Sequence, residues 1–159
     1  APPEGRGTAG RGRETDRKGF DRMRILLIDG QGGGIGSRLA TLLRPRLPED
    51  CELLCAGTNV LATNAMLKAG CTRGATGENA ILYNAGRADL ILGPIGVILA
   101  NGIMGEVSPA AAAAVSGAQA VKILIPSATC GTRIAGVEEC RLEDYLKRAV
   151  DLALREVGL

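Results

Sequence analysis

The chain has 159 residues, 46% hydrophobic and 23% charged, with 23 glycines, two tyrosines, one phenylalanine, and neither tryptophan nor histidine; this is the make-up of one soluble domain. Without histidine, Ser-His-Asp triads, Cys-His dyads and most zinc sites are excluded, and the scarcity of aromatics argues against a base-stacking platform for single-stranded nucleic acid. Residues 1–22 hold six Lys/Arg against four Asp/Glu while residues 23–159 hold thirteen of each, so the body is neutral and carries no electrostatic footprint for DNA or RNA.

Residues 1–22 are rich in Gly, Arg and Asp/Glu with Phe20 as their one bulky apolar side chain, which predicts a disordered N-terminal extension. Met23 stands directly before the first strand, so the expected domain is 23–159. RILLID, residues 24–29, is a nearly continuous apolar run, the pattern of a strand buried on both faces. A helix is expected over 36–43, stopped by Pro45. CELLCA, 51–56, reads as the second strand, and Asn59 as the cap of a helix that runs to Ala69 and ends at Gly70. Thr76 or Gly77 opens a third helix to about Gly86. DLIL, 89–92, is the third strand.

Residues 97–104 are ambiguous between helix and strand, with Ile95, Ile98, Leu99 and Ile103 spaced more like one helix face. Ser108-Pro109 and five alanines form a capped helix start. VKILI, 121–125, is the fourth strand, 132–137 a candidate short fifth, and 142–157 a helix whose stripe is Leu142, Leu146, Ala149, Val150, Ala153 and Val157. Strands alternating with helices predict an α/β fold: a three-layer Rossmann-like domain whose mostly parallel sheet has four to five strands.

The strongest motif follows the first strand directly: Gly30-Gln31-Gly32-Gly33-Gly34-Ile35-Gly36. In an open parallel sheet, ligands lie beyond the carboxyl ends of the strands, where a glycine turn lets backbone N–H groups approach phosphate oxygens at a helix N-terminus. The spacing is neither GxGxxG, whose last position falls on Ile35, nor a P-loop, whose Gly-Lys falls on Ile35-Gly36. It fits G-x-x-x-G-x-G through Gly30, Gly34 and Gly36, and in this the loop resembles the short-chain dehydrogenases. That resemblance implies a bound dinucleotide, NAD(P), with its pyrophosphate on the loop. The family's catalytic tyrosine with a lysine four residues on is missing, since Arg87 follows Tyr83 at that distance and Ala149 follows Tyr145. An acidic residue that would hold ribose at the end of the second strand is also missing; Gly57, Thr58 and Asn59 stand there, and Thr58 and Asn59 are candidates to bind a ribose or a 2′-phosphate.

A wider resemblance covers nearly all of residues 23–159. The order MRILLIDGQGGGIG, GTNVLAT, GATGENAI, ADLILGPIGV, MGEVSP and KILIP resembles a bacterial family of small proteins known only as a domain of unknown function, which implies no activity and supports Met23 as the start of the domain.

Other positions carry two readings each. Asp29 either binds a ribose hydroxyl or hydrated magnesium, or caps N–H groups of the turn. Glu78 and Asn79 either cap a helix or wall a ligand. Gly93 and Gly96 of GPIG either line the far side of one cleft or make a tight turn. The five cysteines are odd in number and contain no CxxC, so no disulfide framework or metal site is suggested and a reducing, cytoplasmic setting is expected. Cys130, in the polar segment SATCGT, has no evident base to activate it. No apolar run reaches the roughly 18 to 20 residues of a membrane span, and no secretory signal is seen.

Three functions follow from this reading. The first is a small nucleotide- or dinucleotide-binding protein that holds phosphate on the loop, requires no metal and has no assigned catalytic residue. The alternatives are an NAD(P)-dependent oxidoreductase and an interaction module without a small ligand, with homo-oligomerisation open to each.

Overall fold

The computed structural model describes residues 22–127 and 131–159. Five strands form one parallel sheet: β1 (Arg24–Asp29), β2 (Glu52–Gly57), β3 (Arg73–Thr76), β4 (Leu90–Pro94) and β5 (Val121–Ile125), in the spatial order β3-β2-β1-β4-β5. The helices are α1 (Gly34–Leu43), α2 (Val60–Ala69), α3 (Glu78–Ala85), α4 (Pro109–Ser116) and α5 (Leu142–Glu156). The chain builds outward from β1 to β3, then returns to lay β4 on the other side of β1. This reversal leaves a crevice above the carboxyl ends of β1 and β4, where open α/β sheets take their ligands.

The alternation of side chains along β1 assigns the helices to two faces. Ile25 and Leu27 point into a core shared with Leu39 and Leu43 of α1, Met66 of α2 and Leu146 and Val150 of α5. Leu26 and Ile28 point the other way, against Ile81 of α3 and Ala111 and Val115 of α4. Both layers are apolar, so the uninterrupted run Ile25-Leu26-Leu27-Ile28 is stable here, each fully buried Leu or Ile contributing about 1.5–3 kcal/mol. The alanines of α4 serve close packing, with Ala111 and Ala112 buried.

Three sequence expectations are corrected. The fifth strand is Arg73–Thr76 and not 132–137, which are irregular apart from a turn at 135–136. All four β3 residues are exposed, so the strand has no apolar signature; it exists through backbone pairing with β2, Gly57 opposite Thr76. The ambiguous segment 97–104 is neither a strand nor an α-helix: a 3-10 turn (Ile95–Ile98) is followed by a run of turns. In α5, Leu154 is buried while Leu142 remains 37% exposed, which shifts the packed stripe toward the C-terminus. Residues 1–21 and Cys130 lie outside the described residues.

Candidate functional site

The carboxyl edge of β1 and β2 holds two carboxylates in contrasting surroundings. Asp29, the last residue of β1, is only 5% exposed. It accepts hydrogen bonds from the backbone N–H of Gly30 at 2.8 Å and of Gly36 at 2.7 Å, and Ile35 N–H joins them. The turn therefore brings the first N–H groups of α1 onto an acceptor supplied by its own strand, which satisfies donors that a helix start otherwise leaves open. Burial pushes the Asp29 carboxyl above its ordinary value; the N–H groups of Gly36, Gly30 and Ile35 oppose this shift, and the nearby Glu106 charge adds to it.

The seven-residue loop divides by what each glycine is for. Gly33 has φ +71°, and a Cβ there would stand 2.9 Å from the Ala62 backbone of α2, so both conformation and packing require glycine. At Gly36 a Cβ would run into Met66 Sδ and come within 3.0 Å of Asp29 Cβ. A Cβ on Gly30 would lie 2.7 Å from Thr58 Oγ1. Gly32 and Gly34 differ: a Cβ at either meets nothing within 4 Å, and neither has a positive φ. Both are exposed, and among the described residues neither N–H has a protein partner.

The second carboxylate arrives from across the crevice. Glu106 sits in the segment 99–107 that follows β4, and its Oε1 accepts hydrogen bonds from Thr58 Oγ1 at 2.7 Å, Asn59 Nδ2 at 2.7 Å and Gln31 N–H at 3.1 Å. Oε2 receives only the longer share of the Gln31 bond, 3.2 Å. Asn59 is thus used at both ends, since its Oδ1 caps α2 by accepting from Ala62 N–H at 2.9 Å. Desolvation raises the Glu106 pKa, but the bonds from Thr58, Asn59 and Gln31 outweigh it and leave the carboxyl below its ordinary value.

The segment that delivers Glu106 is strained. Asn101, Ile103 and Met104 have φ of 61°, 54° and 55°, and Gln31, which they face through Glu106, has φ 47°. A β-branched residue in this region is an outlier costing about 1–3 kcal/mol, retained only where the surroundings over-determine it. Ile103 is held between the two glycine turns: its Cγ2 lies 3.1 Å from where a Gly30 Cβ would be, and its Cγ1 3.0 Å from that of Gly96. Gly93 is structural, because a Cβ would strike Ile28 O of β1. The GPIG turn therefore supports this segment as a strap, which meets Gly30 and Gln31 of the glycine loop and leaves Gly32 and Gly34 exposed.

Glu78 accepts a hydrogen bond from Ser108 Oγ, joining the starts of α3 and α4; Asn79 lies exposed beside it. Tyr145 Oη donates to Glu138 O at 2.6 Å and accepts from Cys140 N–H at 3.3 Å, while Tyr83 is stacked by Arg87 at 3.8 Å. Tyr145 borders an opening of about 520 Å³ at the ends of β4 and β5, lined also by Ile95, Pro126, Thr132 and Arg133 and separate from the glycine loop.

The edge thus gathers Asp29, the loop 30–36, Thr58 and Asn59 around one point, with Gly96 beneath the strap. Sequence reasoning misses Glu106. Its contacts are 47 to 75 positions away, so no local spacing reveals it; the available hint is an acidic residue between a glycine turn and the Ser108 helix cap.

No helix among the described residues is long and apolar enough to cross a membrane. No curated protein matches the chain in sequence. Among solved structures, the chain is similar to a dodecameric FMN-dependent UbiX-like decarboxylase from Escherichia coli O157:H7, at 15% identity and a TM-score of 0.45, over 85% of this chain and 94% of that one. Residues 24–158 match the family described as "Domain of unknown function (DUF3842)", and the chain belongs to that family.

Proposed function

We propose that the protein binds a nucleotide or dinucleotide at the carboxyl edge of β1, with phosphate oxygens on the N–H groups of Gly32 and Gly34. The observation that carries this reading is the pair of glycines whose replacement neither backbone conformation nor packing forbids, with two N–H groups unpaired among the described residues. A loop that served only to join β1 to α1 is complete with Gly30, Gly33 and Gly36. The partial positive charge of the α1 N-terminus favours an anion there, although Asp29 already uses part of it. Thr58 and Asn59, which anchor Glu106, would lie behind the nucleoside, and the buried turn at Gly93 and Gly96 would support the segment that borders it. Nothing in this set requires a metal.

The test is calorimetric titration of the full chain with NAD, NADP, ATP, GTP and FAD, repeated on Gly34→Asp. One or more nucleotides should bind the unmutated protein, and Gly34→Asp should weaken that binding at least tenfold while leaving the ligand-free melting temperature in place, because a Cβ at 34 meets open space. A folded protein that binds none of them, or a Gly34→Asp variant that binds as well, overturns the reading.

A second reading, self-association, is favoured by a separate observation: β3 is a fully exposed edge strand, and Val60 and Leu61 of α2 are 61% and 73% exposed. Unpaired strand edges invite pairing with another chain. Light scattering decides it, a monomer at all concentrations counting against it.

A further inference from the structure

We infer that Glu106 is the sugar-recognising carboxylate of this site, so that the protein takes nucleotides with a free ribose 2′,3′-diol and rejects those carrying a 2′-phosphate. This rests on the nucleotide reading above and names the ligand class within it.

The end of β2 is where a dinucleotide fold places the acidic side chain that accepts from ribose hydroxyls, and the chain has Gly57-Thr58-Asn59 there. The structure supplies the carboxylate from the other half of the sheet. Thr58 and Asn59 do not stand open to ligand; they hold Glu106 by two hydrogen bonds of 2.7 Å. The two carboxylate oxygens are used unequally. Oε1 takes three donors and is saturated, which fixes the group in place. Oε2 shares one backbone N–H at 3.2 Å and keeps acceptor capacity, since a carboxylate oxygen accepts about two bonds.

Among the described residues its charge is held by neutral donors and Glu106 forms no ion pair with Lys or Arg, so none of them is paired here to neutralise a 2′-phosphate, and the carboxylate repels one. A hydroxyl donating to an ionised carboxylate makes a stronger bond than to a neutral acceptor. The left-handed backbone at Ile103 and Met104 lies in the segment that carries this side chain, and such conformations cluster at active sites and ligand clamps.

The first experiment needs no variant: calorimetric titration of the full chain with NAD against NADP, and ATP against 2′-deoxyATP. The ribose forms are expected to bind about tenfold or more tightly than either partner lacking the free 2′-hydroxyl, the effect of one charge-assisted hydrogen bond. Equal affinities within both pairs overturn the inference. Glu106→Gln, with folding checked by circular dichroism, completes a double-mutant cycle: it should weaken NAD and ATP, leave 2′-deoxyATP unchanged, and bring NADP level with NAD. If Glu106→Gln instead tightens all four ligands alike, Glu106 is an occupant that phosphate displaces, and the inference fails. Gly34→Asp separates the two levels of the reading. Binding lost in Gly34→Asp but indifferent to both Glu106→Gln and the 2′ position overturns the inference and keeps the nucleotide site. No nucleotide binding by the unmutated protein overturns both.

Discussion

The carboxyl edge of the sheet has a floor and a rim, built by different rules. Asp29, Gly33 and Gly36 form the floor: each is buried, each is fixed by contacts to β1, α1 or α2, and its hydrogen bonds run to backbone. Gln31, Gly32, Gly34, Thr58 and Glu106 form the rim, where bonds converge on one side-chain carboxylate, two N–H groups have no partner among the described residues, and backbone strain collects at Gln31 and at Ile103 across from it. The floor is what a β-turn-α unit needs in order to fold. The rim is in excess of that need, and an excess of placed polar groups at a switch point is where a binding reading has physical content.

Removing a floor group should cost the most. Asp29→Ala leaves the N–H groups of Gly30, Ile35 and Gly36 without their acceptor in a site only 5% exposed, and buried unsatisfied donors cost about 1–3 kcal/mol each. Chemical denaturation should show a loss of at least about 3 kcal/mol. Gly36→Ala comes next: its methyl would press on Met66 and on Asp29 Cβ, an overpacking penalty of about 1–3 kcal/mol. Glu106→Ala, on the rim, should lose about 1 kcal/mol or less, because Thr58 and Asn59 can turn to water. Should Glu106→Ala destabilise as much as Asp29→Ala, the distinction between floor and rim collapses.

The floor was legible in the sequence and the rim largely was not. RILLID followed by glycines and a helical stripe locates β1, the turn and α1 by local pattern alone, and both readings of Asp29 were available because a carboxylate beside a glycine turn has few roles. Thr58 and Asn59 follow β2 directly, so their place at the edge is local information, but their partner is not, since Glu106 meets Gln31 across 75 positions. β3 escaped for a related reason. Arg73–Thr76 has no buried face, so nothing in its side chains records the pairing its backbone makes. What periodicity reports is burial, and both missed features are exposed or held by polar bonds.

The two carboxylates should also separate by pH. The folded pKa of Asp29 is raised above its ordinary 3.8, so the native state holds that proton longer than the unfolded chain does, and its contribution falls as pH climbs from 3.8. The folded pKa of Glu106 is lowered from 4.5; its contribution is present above 4.5 and disappears as pH drops through the folded value. Stability curves of Glu106→Gln and the unmutated protein should therefore differ above this window and converge below it. An Asp29→Asn curve should lack the decline above 3.8. Parallel curves for all three would mean that neither carboxylate changes its protonation on folding.

A pair of neighbouring glycines bears most directly on why the rim exists. At Gly33, with φ +71° and the Ala62 backbone 2.9 Å from an added Cβ, alanine is strained in every respect and should destabilise by about 1–3 kcal/mol. At Gly34, the first residue of α1, alanine enters open space at an ordinary φ, and by restricting the unfolded chain it should stabilise by about 0.4–1 kcal/mol. Neither conformation nor packing then requires glycine at 34, and under the proposed reading its use is close approach of a ligand to the N–H. If Gly34→Ala destabilises, the glycine is explained by folding after all. The site would then lose one of the two residues on which its phosphate reading stands.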